Sequence, residues 1–574
     1  MTQKTLTNVT VAEAYLHLLA DRGIDYFFAN AGTDFAPLIE AFAKGEAEGV
    51  KFPKPVTAPH ENVAVSMALG HALVTGKPQA VMVHVNVGTA NALCGLLNAQ
   101  RVRAPMLFNA GRTPIMEDGM PGARSGFVHW TQEMYDQAGM VREAVKWDYE
   151  LRNGEQLETV VDRALSIACS APQGPAYLTL PREVLATTLE SFSYTPGGGR
   201  QRAMAAQGPN LAALAQAAEM LAKADNPVIV TSTLGRNPAA MEALSRFAFE
   251  NAIPVVSYNP RTVDLPSTHP MNMGQDVNAW LGTADTVVVL DTMVPWLPRE
   301  GSPRAGAKVI HIGEDPLYQN LPIRSFQCDI AIASDAEIAL TQLAQLMRDG
   351  RSSDPERIEH RRTRLAQHRR GLDEARLAAW QAAQSSGAVT PLHISRALDA
   401  IKGDALVFKE SGLRTDHMTF DEPGTFFFSG AAGGLGWSLG AALGAQMAAP
   451  DRLVISTVGD GSYMFGTPLA AHFVAAVQQL PVLFVVFNNR GWHAVRRSTR
   501  GMYKEGYAVD AAKSANEPLT DFGVDMNFEK VMDVVGGHGE RVEHPEDLPR
   551  ALDRALDVIR TERRQVLLNV LCTT

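Results

Sequence analysis

Arg452-Leu453-Val454-Ile455-Ser456-Thr457-Val458-Gly459-Asp460-Gly461-Ser462 is the stretch that decides how this chain is read. An apolar, β-branched run that stops at Gly-Asp-Gly has the pattern of a buried strand turning into a helix. A second run, Pro481-Val482-Leu483-Phe484-Val485-Val486-Phe487, ends in Asn488-Asn489. Two strand ends thus set the Asp460 carboxylate and the Asn489 amide oxygen on one edge of a sheet. Such oxygen donors suit a hard cation like Mg²⁺, which leaves part of its shell to a phosphate. Gly461 and Ser462 add backbone N–H groups at a helix start, where an anionic phosphate is favoured.

Outward from this stretch the chain keeps the same rhythm of strand-like and helix-like runs. That alternation predicts an α/β protein of mainly parallel sheets flanked by helices, in three domains at 1–190, 205–350 and 385–574. In the first, Thr10-Val11-Ala12-Glu13 is a capping box ahead of a helix, and strands are expected at 26–29, 80–85, 106–110 and 176–180. Thr195-Pro196-Gly197-Gly198-Gly199 through Gly208-Pro209 reads as a linker. Strands at 228–231, 254–257, 286–290 and 308–312 predict a Rossmann-like middle domain. The charged stretch Asp354–Arg376 interleaves acidic and basic residues, as a solvated connecting helix does.

A length of 574 residues fits about three or four domains. The net charge of −10 gives no basic footprint for nucleic acid. Four scattered cysteines, Cys94, Cys169, Cys328 and Cys572, form neither a zinc motif nor a disulfide framework. With no signal-peptide pattern after Met1, they predict free thiols in a reducing cytoplasm. Gly430–Ala449 is uncharged and nearly long enough to span a bilayer. Its apolar content is mostly glycine and alanine, so it reads as a packed loop and helix and no membrane partner is expected.

Three further stretches carry possible chemistry. Glu61, in Ala58-Pro59-His60-Glu61-Asn62, starts an apolar helix; alone it reads equally as a helix cap. Ser429-Gly430-Ala431-Ala432-Gly433-Gly434-Leu435-Gly436 lets backbone approach a ligand closely, or another helix. His84, in Met82-Val83-His84-Val85-Asn86-Val87-Gly88-Thr89-Ala90-Asn91, ends a strand, where an imidazole serves either structure or proton transfer.

Taken together, Gly459-Asp460-Gly461 with Asn488-Asn489 resembles the diphosphate-binding motif of thiamine diphosphate (ThDP) enzymes. The chain is identified as a member of their 2-oxo acid decarboxylase and acetolactate synthase family, nearest in motifs to the benzoylformate decarboxylase branch. The resemblance implies Mg²⁺ held by Asp460, Asn489 and the Gly491 carbonyl. It implies ThDP contacts from Gly461, Ser462 and Trp492, and more loosely from Glu410, Ser411 and Gly412. Glu61 would hydrogen-bond the aminopyrimidine ring and so prime the thiazolium C2 proton for removal. The Gly433 carbonyl would accept from the amine, and Leu435 would wedge between the two rings. His84 would be acid/base and Thr33 would meet the substrate carboxylate. The resemblance further implies a homodimer or a homotetramer (a dimer of dimers), with Glu61 and His84 facing Asp460 and Asn489 across a subunit interface.

The departures concern the substrate. Asp291-Thr292-Met293-Val294-Pro295-Trp296 lacks the second active-site histidine of benzoylformate decarboxylases. There is no His-His pair. His269-Pro270-Met271-Asn272-Met273-Gly274 is faintly similar to the FAD-binding acetolactate synthases, but their Arg-rich stretch is missing. His493, Arg496 and Arg497 could meet a carboxylate, or be ordinary exposed loop residues. The expected reaction is decarboxylation of a 2-oxo acid to an aldehyde. The alternatives are acetolactate synthase-like carboligation, 2-hydroxyacyl or acyloin lysis, and an FAD-linked oxidase.

Overall fold

The computed structural model describes residues 3–349, 354–512 and 517–573. The chain forms two compact units. One joins Met1–Met204, Ser429–Val542 and Asp553–Leu571; the other holds Ala205–Phe428, Glu543–Leu552 and Cys572–Thr574.

In the first unit, strands β1 (Lys4–Thr10) and β8 (Thr188–Tyr194) make an antiparallel ribbon. Between them run β2 (Tyr26–Asn30), β3 (Lys54–Thr57), β4 (Ala80–Val83), β5 (Met106–Arg112), β6 (Trp147–Glu150) and β7 (Pro175–Pro181). These six pair in parallel in the order β3-β2-β4-β5-β7-β6. The expected strands are all present, and the Thr10 capping box forms with Glu13. β1, β3, β6 and β8 were not foreseen. β1 is mostly exposed and rich in Thr, and its partner lies far along the chain.

The second unit carries β9 (Pro227–Thr231), β10 (Val255–Ser257), β11 (Thr286–Leu290), β12 (Lys308–Gly313) and β13 (Ile330–Ala333), a parallel sheet in the order β10-β9-β11-β12-β13. β14 (Leu406–Lys409) and β15 (Phe426–Phe428) pair in parallel in the same unit. The third predicted segment, 385–574, is therefore divided between the units. Its first part is bonded to the middle segment: Ser267 N–H donates to the Phe420 carbonyl at 2.9 Å, and Phe428 N–H to the Arg261 carbonyl at 2.9 Å. The charged helix runs over Pro355–Gln384, longer than expected, with Arg361 and Leu365 its buried residues.

The rest of the first unit is β16 (Val454–Gly459), β17 (Leu483–Asn488), β18 (His538–Val542) and β19 (Val566–Leu571), parallel in the order β16-β17-β19-β18. The helix Glu61–Thr75 packs along the helix Trp437–Ala448. A Cβ on Gly70 would strike the Ala441 carbonyl, and one on Gly444 the Met67 carbonyl, so glycine at both positions lets the backbones touch. Gly430–Ala449 is thus the packed loop and helix its composition predicts. Among the described residues no helix is long and apolar enough to cross a membrane.

Candidate active site

β3, β2 and β4 are neighbours, and the chain leaves β2 to build β3 on one side and β4 on the other. That reversal opens a crevice outside the carboxyl ends of the strands, where ligands of parallel α/β sheets bind. Thr33 and Asp34 follow β2, Glu61 follows the turn after β3, and His84 follows β4.

His84 is gripped from this edge. Its Nδ1 lies 2.5 Å from Asp34 Oδ1, and Val85 N–H donates to Asp34 Oδ2 at 3.3 Å. Asp34 is buried, and its place is cleared by glycine: a Cβ on Gly111 would strike the carboxylate, and one on Gly32 the imidazole. Val85 sits at φ 32°, in the left-handed region that a β-branched residue avoids. Strain of this sort costs about 1–3 kcal/mol and clusters at functional sites. The hydrogen bond to Asp34 raises the His84 pKa above its ordinary value, against the opposing effect of burial; the Glu61 carboxylate acts in the same direction. Thr33 is exposed beside this pair, and its carbonyl accepts from Arg182 at 3.4 Å.

Glu61 is buried at the start of its helix, capped by His60, and accepts from Asn91 Nδ2 at 3.1 Å. The helix Val85–Arg101 that carries Asn91 also carries Asn98, whose Nδ2 donates to the Gly434 carbonyl at 2.9 Å. One helix stripe therefore ties the His84 strand end, Glu61 and the glycine loop together. In that loop Gly433 is exposed at φ 74°, and Leu435 is half-buried. The resemblance implied that these halves meet across a subunit interface. Within the single chain the Asn98–Gly434 bond ties the helix Val85–Arg101 to the glycine loop inside the first unit.

Asp460 starts the short helix after β16, and Asn489 follows β17, whose Phe487 is in register with Gly459. The Asp460 carboxylate is buried and accepts from Gly461 N–H at 2.7 Å and Gly491 N–H at 3.1 Å. Burial pushes its pKa above the usual carboxylate value, although backbone N–H groups of residues 461, 491, 490 and 489 oppose this. Asn489 Oδ1 is buried with no hydrogen-bond partner among the described residues. An orphaned amide oxygen near a desolvated carboxylate is the donor set that a hard cation satisfies. Among the described residues no group of three His, Cys, Asp or Glu side chains could hold a metal, so a softer transition-metal centre has no counterpart there. Ser462 is buried in the same turn, and the Trp492 ring fills the space that a Cβ on Gly461 would need. Beneath the turn, Tyr463 OH bonds His472 Nε2 at 2.9 Å, and His472 Nδ1 bonds Gln565 Oε1 at 2.8 Å. Burial pushes the His472 pKa down to about 4 and keeps it neutral.

Glu410, Ser411 and Gly412 follow β14 in the second unit, where Ser411 Oγ is buried without a partner among the described residues. Arg496 is paired with Asp521, while His493 starts the helix His493–Met502. Sequence reasoning missed Asp34, Asn91, Asn98 and Gln132 as partners of the site. Asn91 and Asn98, seven apart on the helix Val85–Arg101, were the available signal.

The chain matches known proteins along most of its length. Residues 9–140 match the thiamine pyrophosphate enzyme N-terminal TPP binding domain, 214–343 its central domain and 412–570 its C-terminal TPP binding domain. The chain is 25% identical over 600 aligned positions to the sulfoacetaldehyde acetyltransferase of Alcaligenes xylosoxydans xylosoxydans, covering 98% of this chain and 93% of that one. It is 27% identical over 512 positions to the benzoylformate decarboxylase of Pseudomonas aeruginosa, covering 85% and 87%. The solved structure of a thiamine diphosphate-dependent 4-hydroxybenzoylformate decarboxylase from Rhodococcus jostii RHA1 superposes with a TM-score of 0.76 over 98% of this chain and 99% of that one; at 22% identity it speaks for the fold alone. The chain belongs to the thiamine pyrophosphate enzyme family, with N-terminal, central and C-terminal domains all present.

Proposed function

We propose that this protein is a Mg²⁺- and ThDP-dependent decarboxylase that converts a 2-oxo acid to an aldehyde and CO₂. The observation that carries the reading is the grip of Asp34 on His84 beside Glu61, at the carboxyl ends of three adjacent strands. Asp460, Asn489 and the Gly491 carbonyl hold the cation, with Gly461, Ser462 and Trp492 around the diphosphate. Gly433 and Leu435 orient the rings. Bound there, ThDP supplies an electron sink that lets a bond beside a carbonyl break or form. Glu61 holds the proton that the aminopyrimidine ring needs. Thr33 offers its hydroxyl to the substrate carboxylate, and His84 delivers a proton to the reacting carbon once CO₂ has left.

Likeness to a sulfoacetaldehyde acetyltransferase over nearly the whole chain favours a second reading, transfer of the two-carbon or acyl unit to an acceptor or a second carbonyl. One experiment separates them. Protein loaded with Mg²⁺ and ThDP is offered pyruvate, branched and aromatic 2-oxo acids, with CO₂ and carbonyl products measured. Aldehyde released in step with CO₂ supports decarboxylation; CO₂ with acyloin or acyl-transfer product supports the second reading, and no CO₂ from any of them overturns the first.

The active form proposed is a homodimer or a dimer of dimers. Its support is an apolar stripe at helical spacing, Leu469, Phe473 and Val477 on the helix Pro468–Val477, extended by Phe465; these are 53%, 42%, 57% and 52% exposed in the single chain. A stripe of this size on a soluble protein marks an interaction surface. Light scattering should give at least twice the 62.0 kDa chain mass; a monomer at micromolar concentration would remove the proposal.

A further inference from the structure

We propose that Asp34 is the positioning residue of His84: its carboxylate fixes the ring through Nδ1 and turns Nε2 into the reaction crevice, where the Gln132 amide covers it until substrate arrives. This rests on the reading of His84 as the proton carrier and assigns the group that makes it one.

The geometry is over-determined for a surface ion pair. The 2.5 Å contact joins a carboxylate 3% exposed to an imidazole 23% exposed, so the exposure that remains is on the ring. Both neighbouring backbones have glycine where a side chain would push the pair apart, Gly32 against the ring and Gly111 against the carboxylate. The second carboxylate oxygen is spent on Val85 N–H, which holds the strained residue that aims His84. A carboxylate at Nδ1 dictates the tautomer: the proton stays on Nδ1, and Nε2 is the nitrogen that exchanges. Gln132 Nε2, an N–H donor to the neutral ring whose proton is on Nδ1, lies 3.4 Å from His84 Nε2. The Gln132 backbone carbonyl accepts from Asn86 Nδ2 at 3.0 Å, so the amide is fastened to the helix that His84 begins.

The proton balance follows. His84 gives the proton on Nε2 to the reacting carbon, and the N–H electron pair returns to the nitrogen. The ring is left neutral with its remaining proton on Nδ1, facing Asp34, and is recharged from water. The titratable groups that act on the ring are Asp34 from the turn after β2, Glu61 from the helix after β3, and His129 from the segment between β5 and β6. The two carboxylates favour the charged ring. His129 is held low by burial and by Arg182 and Arg124, so it does not compete for the proton.

The sign is therefore fixed. Asp34 keeps His84 protonated to a higher pH than an ordinary imidazole, and Asp34→Asn should let the proton go earlier. Removing an opposite charge in contact shifts a pKa by about 1–3 units. The experiment follows His84 by NMR in full-length protein labelled at histidine Cε1, assigned with His84→Gln, alongside the pH–rate profile with a turned-over 2-oxo acid. Asp34→Asn should lower the His84 titration by about one unit or more, move the alkaline limb of the rate acidward by the same amount, and leave ThDP affinity within about threefold. A ThDP titration thereby distinguishes a misfolded variant, and Asp34→Glu should recover part of the raised titration. An unmoved His84 titration in folded Asp34→Asn overturns the inference. A titration that moves while the rate limb stays put overturns instead the reading of His84 as the proton carrier.

Discussion

Glu61→Gln is expected to lower kcat by about 10²–10⁴-fold, the range that one positioned proton-transfer group contributes, while ThDP and Mg²⁺ bind with affinities within a few-fold of the parent. The reason lies in what the substitution preserves. Glutamine has the length of glutamate, keeps a carbonyl oxygen to accept from Asn91 Nδ2, and fits the same buried helix start. It removes the one property a buried carboxyl adds there, the ability to hold and release a proton. A helix cap behaves differently: its replacement costs about 0.5–2 kcal/mol of stability and leaves turnover of the folded enzyme alone. Steady-state rates, cofactor titration and a thermal melt on the same preparation separate the two. Turnover within tenfold of the parent would return Glu61 to the status of a cap.

Asp460→Ala should lose cofactor rather than chemistry. We expect at least about a 100-fold weaker ThDP affinity by calorimetry, equivalent to about 2.7 kcal/mol, and loss of the Mg²⁺ dependence that chelation should reveal in the parent. The carboxylate also accepts from two backbone N–H groups, so alanine could loosen the turn by itself. Asn489→Leu answers that objection. Asn489 Oδ1 bonds nothing among the described residues, and a leucine of similar size removes this oxygen while sparing the Asp460 contacts. If both variants keep the parent's ThDP affinity, the metal set is wrong. If Asp460→Ala alone loses it, the loss belongs to the turn and not to the cation.

How much of this was legible in advance differs by element. The strands that end in Asp460 and Asn489 were readable because both are buried on two faces, which writes an unbroken apolar run punctuated by Gly or Asn. The helix Glu61–Thr75 and the helix Trp437–Ala448 were readable for a related reason, since both are mostly apolar and mostly buried on every face. β1 and β8 were not. Their Thr- and Ser-rich pattern suits an exposed ribbon as well as a loop, and what makes them strands is a partner at the other end of the domain. The division of the 385–574 segment between the two compact units was unreadable for the same kind of reason. Hydrogen bonds from 415–428 to 261–275 draw that stretch into the second unit, and local composition does not record them.

By itself the sequence determined the cofactor chemistry and the α/β class, because phosphate turns, hard-cation donors and doubly buried strands each demand particular residue types at short spacing. Only the tertiary structure decided which groups serve one another. Asp34 and His84 are fifty residues apart and touch because β2 and β4 are parallel neighbours. Asn98 reaches Gly434 because two glycine-bearing helices close on each other within one chain. Parallel sheets bring residues together by strand order, and strand order is set by the packing of the whole domain rather than by any stretch that can be read alone.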